Sequence, residues 1–295
     1  MKAAVFDYAR PANLDEACAM LAADDDVRII AGGQTLVPLM AMRLARPRLV
    51  VDIARIAALA YIRRDGDAVA IGATTRQYVV ERDQIVRAGV PLLAKVMPYV
   101  GHAATRARGT VGGSLANADP AAEIVLVAVT LGATLTYRVG ADSFEVSAAE
   151  FFIGPMTTAL PPAGCLVSVR FPVWRERRIG VGFYEASARR SDFAYVSAAV
   201  QLALDEAGVC RRLAVGVGAA IDVPLRLDTV AKALEGTRVE ETAVRAAVRA
   251  ALADIQPLSD LHATAAYRRR VAVTLAVRAI IDARKSAETV GADGR

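Results

Sequence analysis

The sequence predicts an α+β chain built in two parts, on three observations. Short strand-like and helix-like runs alternate from Lys2 to Pro172. A charged bridge, Trp174-Arg-Glu-Arg-Arg178, then interrupts the apolar strands and marks a boundary near Val173–Ile179. Beyond it three strand-like runs come first and three helical runs follow, which is the α+β order.

Lys2–Tyr8 alternates like a strand. Asn13–Ala23 reads as a helix, with Asn13 as cap and Leu14, Ala17, Cys18 and Leu21 on one face. Val27–Ala31 is a short buried strand that runs into Gly32-Gly33-Gln34-Thr35 and the apolar helical segment Leu36–Leu44. Pro47–Asp52 is a further strand. Tyr61–Arg64 and Ala68–Ile71 pair around the turn Asp65-Gly66-Asp67. Gly72-Ala73-Thr74-Thr75 is a small-residue turn before a helix through Arg82, and Pro91–Val100 is another helix. Ile124–Leu131 reads as a buried helix. Ala133–Tyr137 and Ser143–Val146 form a hairpin, Gly154-Pro155 a loop, and Gly164–Phe171 a strand stopped by Pro172. In the second part Gly180–Ala186, Ala194–Leu204 and Arg212–Ala220 are expected as three antiparallel strands. Thr229–Leu234, Thr242–Ala253 and Ala263–Arg284 are expected as helices.

Two glycine segments stand out. After Val27–Ala31, the double glycine before an apolar helix places backbone N–H groups where an anion could sit. Arg108–Glu123 is richer: Gly109, Gly112 and Gly113 free the backbone to turn, Thr110 and Ser114 add hydroxyls, and Asn117 and Asp119 can hold polar groups of a sugar or ring. A helix is expected to start near Asp119-Pro120, with Asp as cap and Pro at the first position. Alone, each segment is either an ordinary glycine turn or a phosphate cradle. As a pair they could hold the two phosphates of a dinucleotide.

Composition narrows the classes. The 295 residues are 55% hydrophobic, enough for a sizeable core. The apolar run Ile124–Tyr137 is too short for the roughly 20 residues that span a bilayer. The N-terminus does not read as a signal peptide, and a cytoplasmic protein is the simplest expectation. The net charge of +5 is spread out without interleaved aromatics, which disfavours nucleic acid and leaves docking to an acidic partner open. The three cysteines are isolated, without the spacing of a zinc or iron–sulfur site, and two histidines cannot make a multi-histidine metal centre. His102 reads as an exposed helix-end residue. No GxSxG elbow is present. Gly180-Val-Gly182 and Gly216-Val-Gly218 both lack the third glycine of a Rossmann fingerprint. No catalytic residue and no metal ligand is assigned.

Ala31-Gly-Gly-Gln-Thr35 resembles the first flavin motif of the FAD-binding medium subunits of molybdenum hydroxylases, the family of the carbon monoxide dehydrogenase medium subunit and the xanthine dehydrogenase flavin subunit. Arg108-Gly-Thr-Val-Gly-Gly-Ser-Leu-Ala-Asn-Ala-Asp-Pro-Ala-Ala-Glu123 resembles the second. Phe151–Leu160 is similar to the family's loop after the hairpin, Arg189–Val196 to the opening of its C-terminal domain, and Tyr267-Arg-Arg269 to the start of its last helix. The likeness covers nearly the whole chain. One departure is Ala107, where the family often has Asn in Arg-Asn-Arg-Gly-Thr.

The resemblance implies a two-lobed FAD-binding domain of vanillyl-alcohol-oxidase (PCMH) type over residues 1–175, with lobes of about 1–55 and 56–175. It implies a C-terminal three-stranded antiparallel sheet with a helix bundle over 176–285, and 286–295 is expected as a disordered tail. It further implies that FAD takes electrons from iron–sulfur clusters on a small subunit, supplied by a molybdenum-cofactor large subunit, and passes them to an external acceptor. The assembly expected is a dimer of heterotrimers. Gly32, Gly33, Gln34 and Thr35, flanked by Ala31 and Leu36, would bind pyrophosphate. Thr110, Gly112, Gly113 and Ser114 would hold its other side. Asn117 and Asp119 would meet polar groups of the dinucleotide, and Tyr195 would lie near the isoalloxazine. A self-sufficient flavin oxidase or dehydrogenase of the same fold is the alternative, and an interaction protein with a degraded flavin site is a third class.

Overall fold

The computed structural model describes residues 2–290. The first sheet is parallel, with order β1-β3-β2, built from β1 (Asp7–Ala9), α1 (Leu14–Ala22), β2 (Val27–Ile30), α2 (Leu36–Ala41) and β3 (Leu49–Asp52). Asn13 caps α1: its Oδ1 accepts the Glu16 N–H at 2.9 Å, while Glu16 Oε2 accepts the Ala12 N–H at 2.8 Å. The expected strand Lys2–Tyr8 shrinks to β1, because Val5 is fully exposed and residues 2–6 have no partner strand.

β4 (Ile62–Asp65) and β5 (Ala68–Gly72) begin the second sheet. Then come α3 (Gln77–Arg82), α4 (Gln84–Gly89), α5 (Pro91–Val96), α6 (Ala103–Arg108), α7 (Val111–Asn117) and α8 (Glu123–Leu131). The hairpin β6 (Thr134–Val139) and β7 (Asp142–Ser147) follows. After it lie α9 (Ala148–Phe151), the short pair β8 (Phe152–Gly154) and β9 (Thr157–Thr158), and β10 (Gly164–Pro172). The antiparallel order is β4-β5-β10-β6-β7. The helix expected over Pro91–Val100 breaks after Val96 into a 3₁₀ turn, where Pro98 has no N–H to continue the ladder.

The third sheet is antiparallel, β11 (Arg178–Ala186), β12 (Val196–Leu204), β13 (Cys210–Gly218) and the two-residue edge β14 (Leu225–Arg226). The edge strand makes it four-stranded where three strands were expected. α10 (Asp228–Leu234), α11 (Glu241–Ala251) and α12 (Ala265–Val290) complete the chain. α12 carries the helix through 286–290, where a tail was expected, and 291–295 lie outside the described residues.

Every residue of β12 is buried, so both sheet faces are covered. Val200, Leu202, Val215 and Val217 pack on α12, while Ala199, Ala203 and Ala214 share the other core with α8. α8 is buried along its whole length and joins the two parts. At the boundary Trp174 is buried, with the Arg212 guanidinium 4.3 Å from its ring centroid. The cysteines are buried free thiols, and burial pushes Cys165 up to about 12 and Cys210 up to about 11. Among the described residues no helix is long and apolar enough to cross a membrane.

Candidate functional site

A cavity of about 700 Å³ opens between the first sheet, α7 and a loop from the C-terminal part. The loop after β2 forms one wall. Gly33 sits at φ +70°, where a side chain is strained. The backbone N–H groups of Gly32, Gly33, Gln34, Thr35 and Leu36 donate to no acceptor among the described residues. Backbone donors left free at a glycine turn before a helix are the kind of group that can hold an anion.

The facing wall is α7, and here the sequence expectation needs correction. The helix expected from Asp119-Pro120 starts four residues later, at Glu123, as α8, and α7 is a separate helix that the sequence did not announce: it begins at Val111, and Thr110 caps it, accepting the Gly113 N–H on Oγ1 at 3.0 Å. Asp119 lies in the link to α8, its Oδ1 accepting the Ala121 N–H at 2.8 Å. Gly112 and Gly113 therefore have helical backbones, and the N–H groups around them are used. Val111 donates to Thr75 O at 3.0 Å, Gly112 to Ala73 O at 2.8 Å and Ser114 to Thr110 O at 3.2 Å. What this wall offers the cavity is side chains, the Ser114 hydroxyl and the Asn117 amide among them.

The glycines serve closeness. A Cβ on Gly112 would lie 2.5 Å from the Ala73 Cβ and 2.6 Å from the Ala73 carbonyl oxygen. A Cβ on Gly32 would lie 2.6 Å from Arg108 O and 2.9 Å from the Gly109 Cα. The two glycine segments, distant in sequence, touch through their backbones. The turn Gly72–Thr75, unassigned from sequence, is the floor to which the second segment is stitched. α6 is held in turn by Arg106, whose Nε donates to Glu81 Oε2 at 2.8 Å, while its exposed neighbour Ala107 is not part of the cavity wall.

All the expected residues of both glycine segments, Ala31 to Leu36 and Thr110, Gly112, Gly113, Ser114, Asn117 and Asp119, line this one cavity. Tyr195 does not. Its N–H donates to Ala186 O at 2.7 Å at the start of β12, and its ring stacks on His262 with centroids 5.8 Å apart. Ser191, Asp192 and Phe193 of the same loop reach the cavity instead, and Phe193 is 72% exposed. His102 is exposed just before α6 and lies at the rim.

Sequence reasoning also passed over a carboxyl group. Glu123, at the start of α8, lines the cavity and is 9% exposed. Burial pushes its carboxyl up to about 8, with the charges of Glu185 and Asp119 adding and Arg106 opposing. Burial also raises Asp119, against the Ala121 N–H, and pushes Glu185, on β11, up to about 7. The available signal was an acid opening the otherwise uncharged run Glu123–Leu131.

The comparisons with known proteins match both halves. Residues 4–174 match a family model described as the FAD binding domain in molybdopterin dehydrogenase, and 182–283 match the CO dehydrogenase flavoprotein C-terminal domain. The chain belongs to the FAD-binding medium-subunit family of molybdenum hydroxylases. Family relatives span it almost completely. The 6-hydroxypseudooxynicotine dehydrogenase complex subunit alpha of Paenarthrobacter nicotinovorans is 34% identical over 96% of both chains. The carbon monoxide dehydrogenase medium chain of Afipia carboxidovorans is 32% identical over 96% of this chain and 98% of that one. Among solved structures, quinoline 2-oxidoreductase from Pseudomonas putida 86 superposes with a TM-score of 0.92 at 35% identity, covering 97% of this chain and 99% of that one. As a member of this family the chain is an FAD-dependent oxidoreductase subunit.

Proposed function

We propose that this chain is the FAD-carrying electron-transfer subunit of a heterotrimeric molybdenum hydroxylase. In that complex a large subunit holds the molybdenum cofactor and a small subunit the iron–sulfur clusters, and the assembly is a cytoplasmic dimer of heterotrimers. The observation that carries the reading is the contact of Gly32 with Arg108 and Gly109. It joins the two glycine segments around one cavity, beside five N–H donors that have no acceptor among the described residues. Relatives named as medium chains and as subunits of dehydrogenase complexes support the partnership.

The residues present fit a dinucleotide. The N–H groups from Gly32 to Leu36, framed by Ala31, would hold the pyrophosphate, with the Thr35 hydroxyl beside them. On the opposite wall Gly112 seats α7 on Ala73, Gly113 keeps the exposed surface bare, Thr110 shapes the helix start, and Ser114, Asn117 and Asp119 would meet phosphate and hydroxyl groups. The exposed ring of Phe193 takes the place at the cavity expected of Tyr195 and would cover an aromatic face. Bound there, FAD supplies the redox chemistry, and the chain's part is to bind, orient and shield it. The PCMH-type two-lobed arrangement, with lobes near 1–55 and 56–175 and a second domain over 176–285, is part of the same proposal.

The test is the purified complex reduced by its own substrate. With FAD in place an external acceptor is reduced. With FAD stripped, the iron–sulfur signals should still be reduced while acceptor reduction stops, and acceptor reduction that persists without flavin contradicts the proposal.

A further inference from the structure

Gln77, the first residue of α3, is only 4% exposed, yet it forms part of the cavity wall. Its backbone N–H donates to Gly109 O at 3.0 Å, and its Nε2 donates to Ser114 Oγ at 2.9 Å. Its Oε1 is sealed from solvent and accepts no hydrogen bond. The surroundings favour this orientation of the amide. The direction in which Gly109 would carry a Cβ runs into Oε1, so the hydrogen that Gly109 has there forms a C–H···O contact. Turned over, the amide would bury an NH₂ group against a carbon-bound hydrogen and leave its donors unpaired.

A serine hydroxyl has one proton to give and two lone pairs to fill. The Gln77 amide fills one lone pair of Ser114, and no acceptor among the described residues takes the hydroxyl proton. We propose that Gln77 is a positioning residue: it turns Ser114 into an obligate donor aimed at the cavity, matched to an anionic phosphate oxygen of the dinucleotide. The inference rests on the FAD reading of the cavity. It also accounts for Gly109, where any side chain would strike the Gln77 amide.

The test is FAD affinity of the full chain, freed of flavin and titrated with FAD while flavin fluorescence is followed. Gln77→Glu keeps the size but replaces the donor by an acceptor, drawing the Ser114 proton away from the cavity. It should weaken FAD binding about tenfold, as should Ser114→Ala. The double variant should bind as Ser114→Ala does, within about twofold, because Gln77 acts through Ser114. Charge repulsion from the new carboxylate would instead persist without Ser114. Gln77→Met, neutral and of similar length, gives the same cycle if Gln77→Glu does not fold, with a loss of about threefold that Ser114→Ala abolishes. Additive losses in the double variant, or unchanged affinity in Gln77→Glu, overturn the assignment of Gln77 alone. A wild-type chain that takes up no FAD overturns the underlying reading as well.

Discussion

At Gly112 the missing side chain is a matter of distance, and at Gly33 of backbone angle. Gly112→Ala forces its methyl to 2.5–2.7 Å from Ala73 atoms, backbone included, so α7 must lift from its floor. It should cost about 1–3 kcal/mol in thermal unfolding, and FAD retention with it. At Gly33 a Cβ meets only the Val37 and Ile30 side chains, at 3.2 and 3.3 Å, and the strain comes from φ +70°. Gly33→Ala should cost about 1 kcal/mol and weaken FAD binding chiefly by moving the free N–H groups. Both glycines are visible in the sequence, but the reason for each is not: Gly112 reads as a flexible turn and is a close-packed helix position. Glu123 yields a prediction of another kind. Its carboxyl is held up at about 8 against an ordinary 4.5, so the folded chain keeps a proton that the unfolded chain gives up above pH 4.5. That contribution to stability is full at acid pH and is lost as pH rises through 8. In the flavin-free chain Glu123→Gln should unfold with wild type at pH 4 and about 5 °C above it at pH 9. Identical pH profiles would contradict the burial assigned to this carboxyl.

Among the elements, the pairing of β11 with α12 shows what glycine spacing can mean. Gly180 and Gly182 point to one face of β11, and a Cβ on either would strike the α12 backbone, at Ala283 and Ala287 or at Ala279. Ala276, Ala279, Ala283 and Ala287 are fully buried on the helix side, so helix and strand approach through small residues. Gly182→Val should therefore destabilise the chain by about 3 kcal/mol in denaturant unfolding while leaving the distant cavity its FAD affinity. Loss of FAD affinity without loss of stability would mean that this contact has been misread. On the other side of the sheet a Cβ on Gly216 of β13 would strike the Thr130 side chain of α8, and one on Gly218 would meet Ser197 Oγ at 2.9 Å. The sequence excluded these glycines as a Rossmann turn and offered no other role for them. α7 was illegible for the opposite reason. Val-Gly-Gly-Ser has poor helix propensity, and the helix forms because Thr110 caps it and the Ala73 and Thr75 carbonyls take its first N–H groups. Where local signals agree, as in Asn13-x-x-Glu16 before α1, element and cap are both readable from the chain.

For the molecule as a whole, element order and the two-part division follow from alternation and from the charged bridge at Trp174–Arg178, and both family matches fall on either side of it. The contents of the cavity are less legible, because they depend on where loops end. Ser191 takes a left-handed φ of +70° where the loop turns; Phe193 lines the cavity, while Tyr195 immediately precedes β12. No periodicity in Arg189–Val196 announces that turn. Two glycine segments and the C-terminal loop line one cavity, proposed here as a dinucleotide site. The most direct measurement is flavin content and uptake by the chain in its complex, read from visible absorption after flavin is stripped and FAD or FMN is offered separately. The chain should carry one FAD, restored by FAD and not by FMN, which lacks the pyrophosphate-linked adenosine the site would hold. No flavin uptake, or FMN binding as tight as that of FAD, would contradict it.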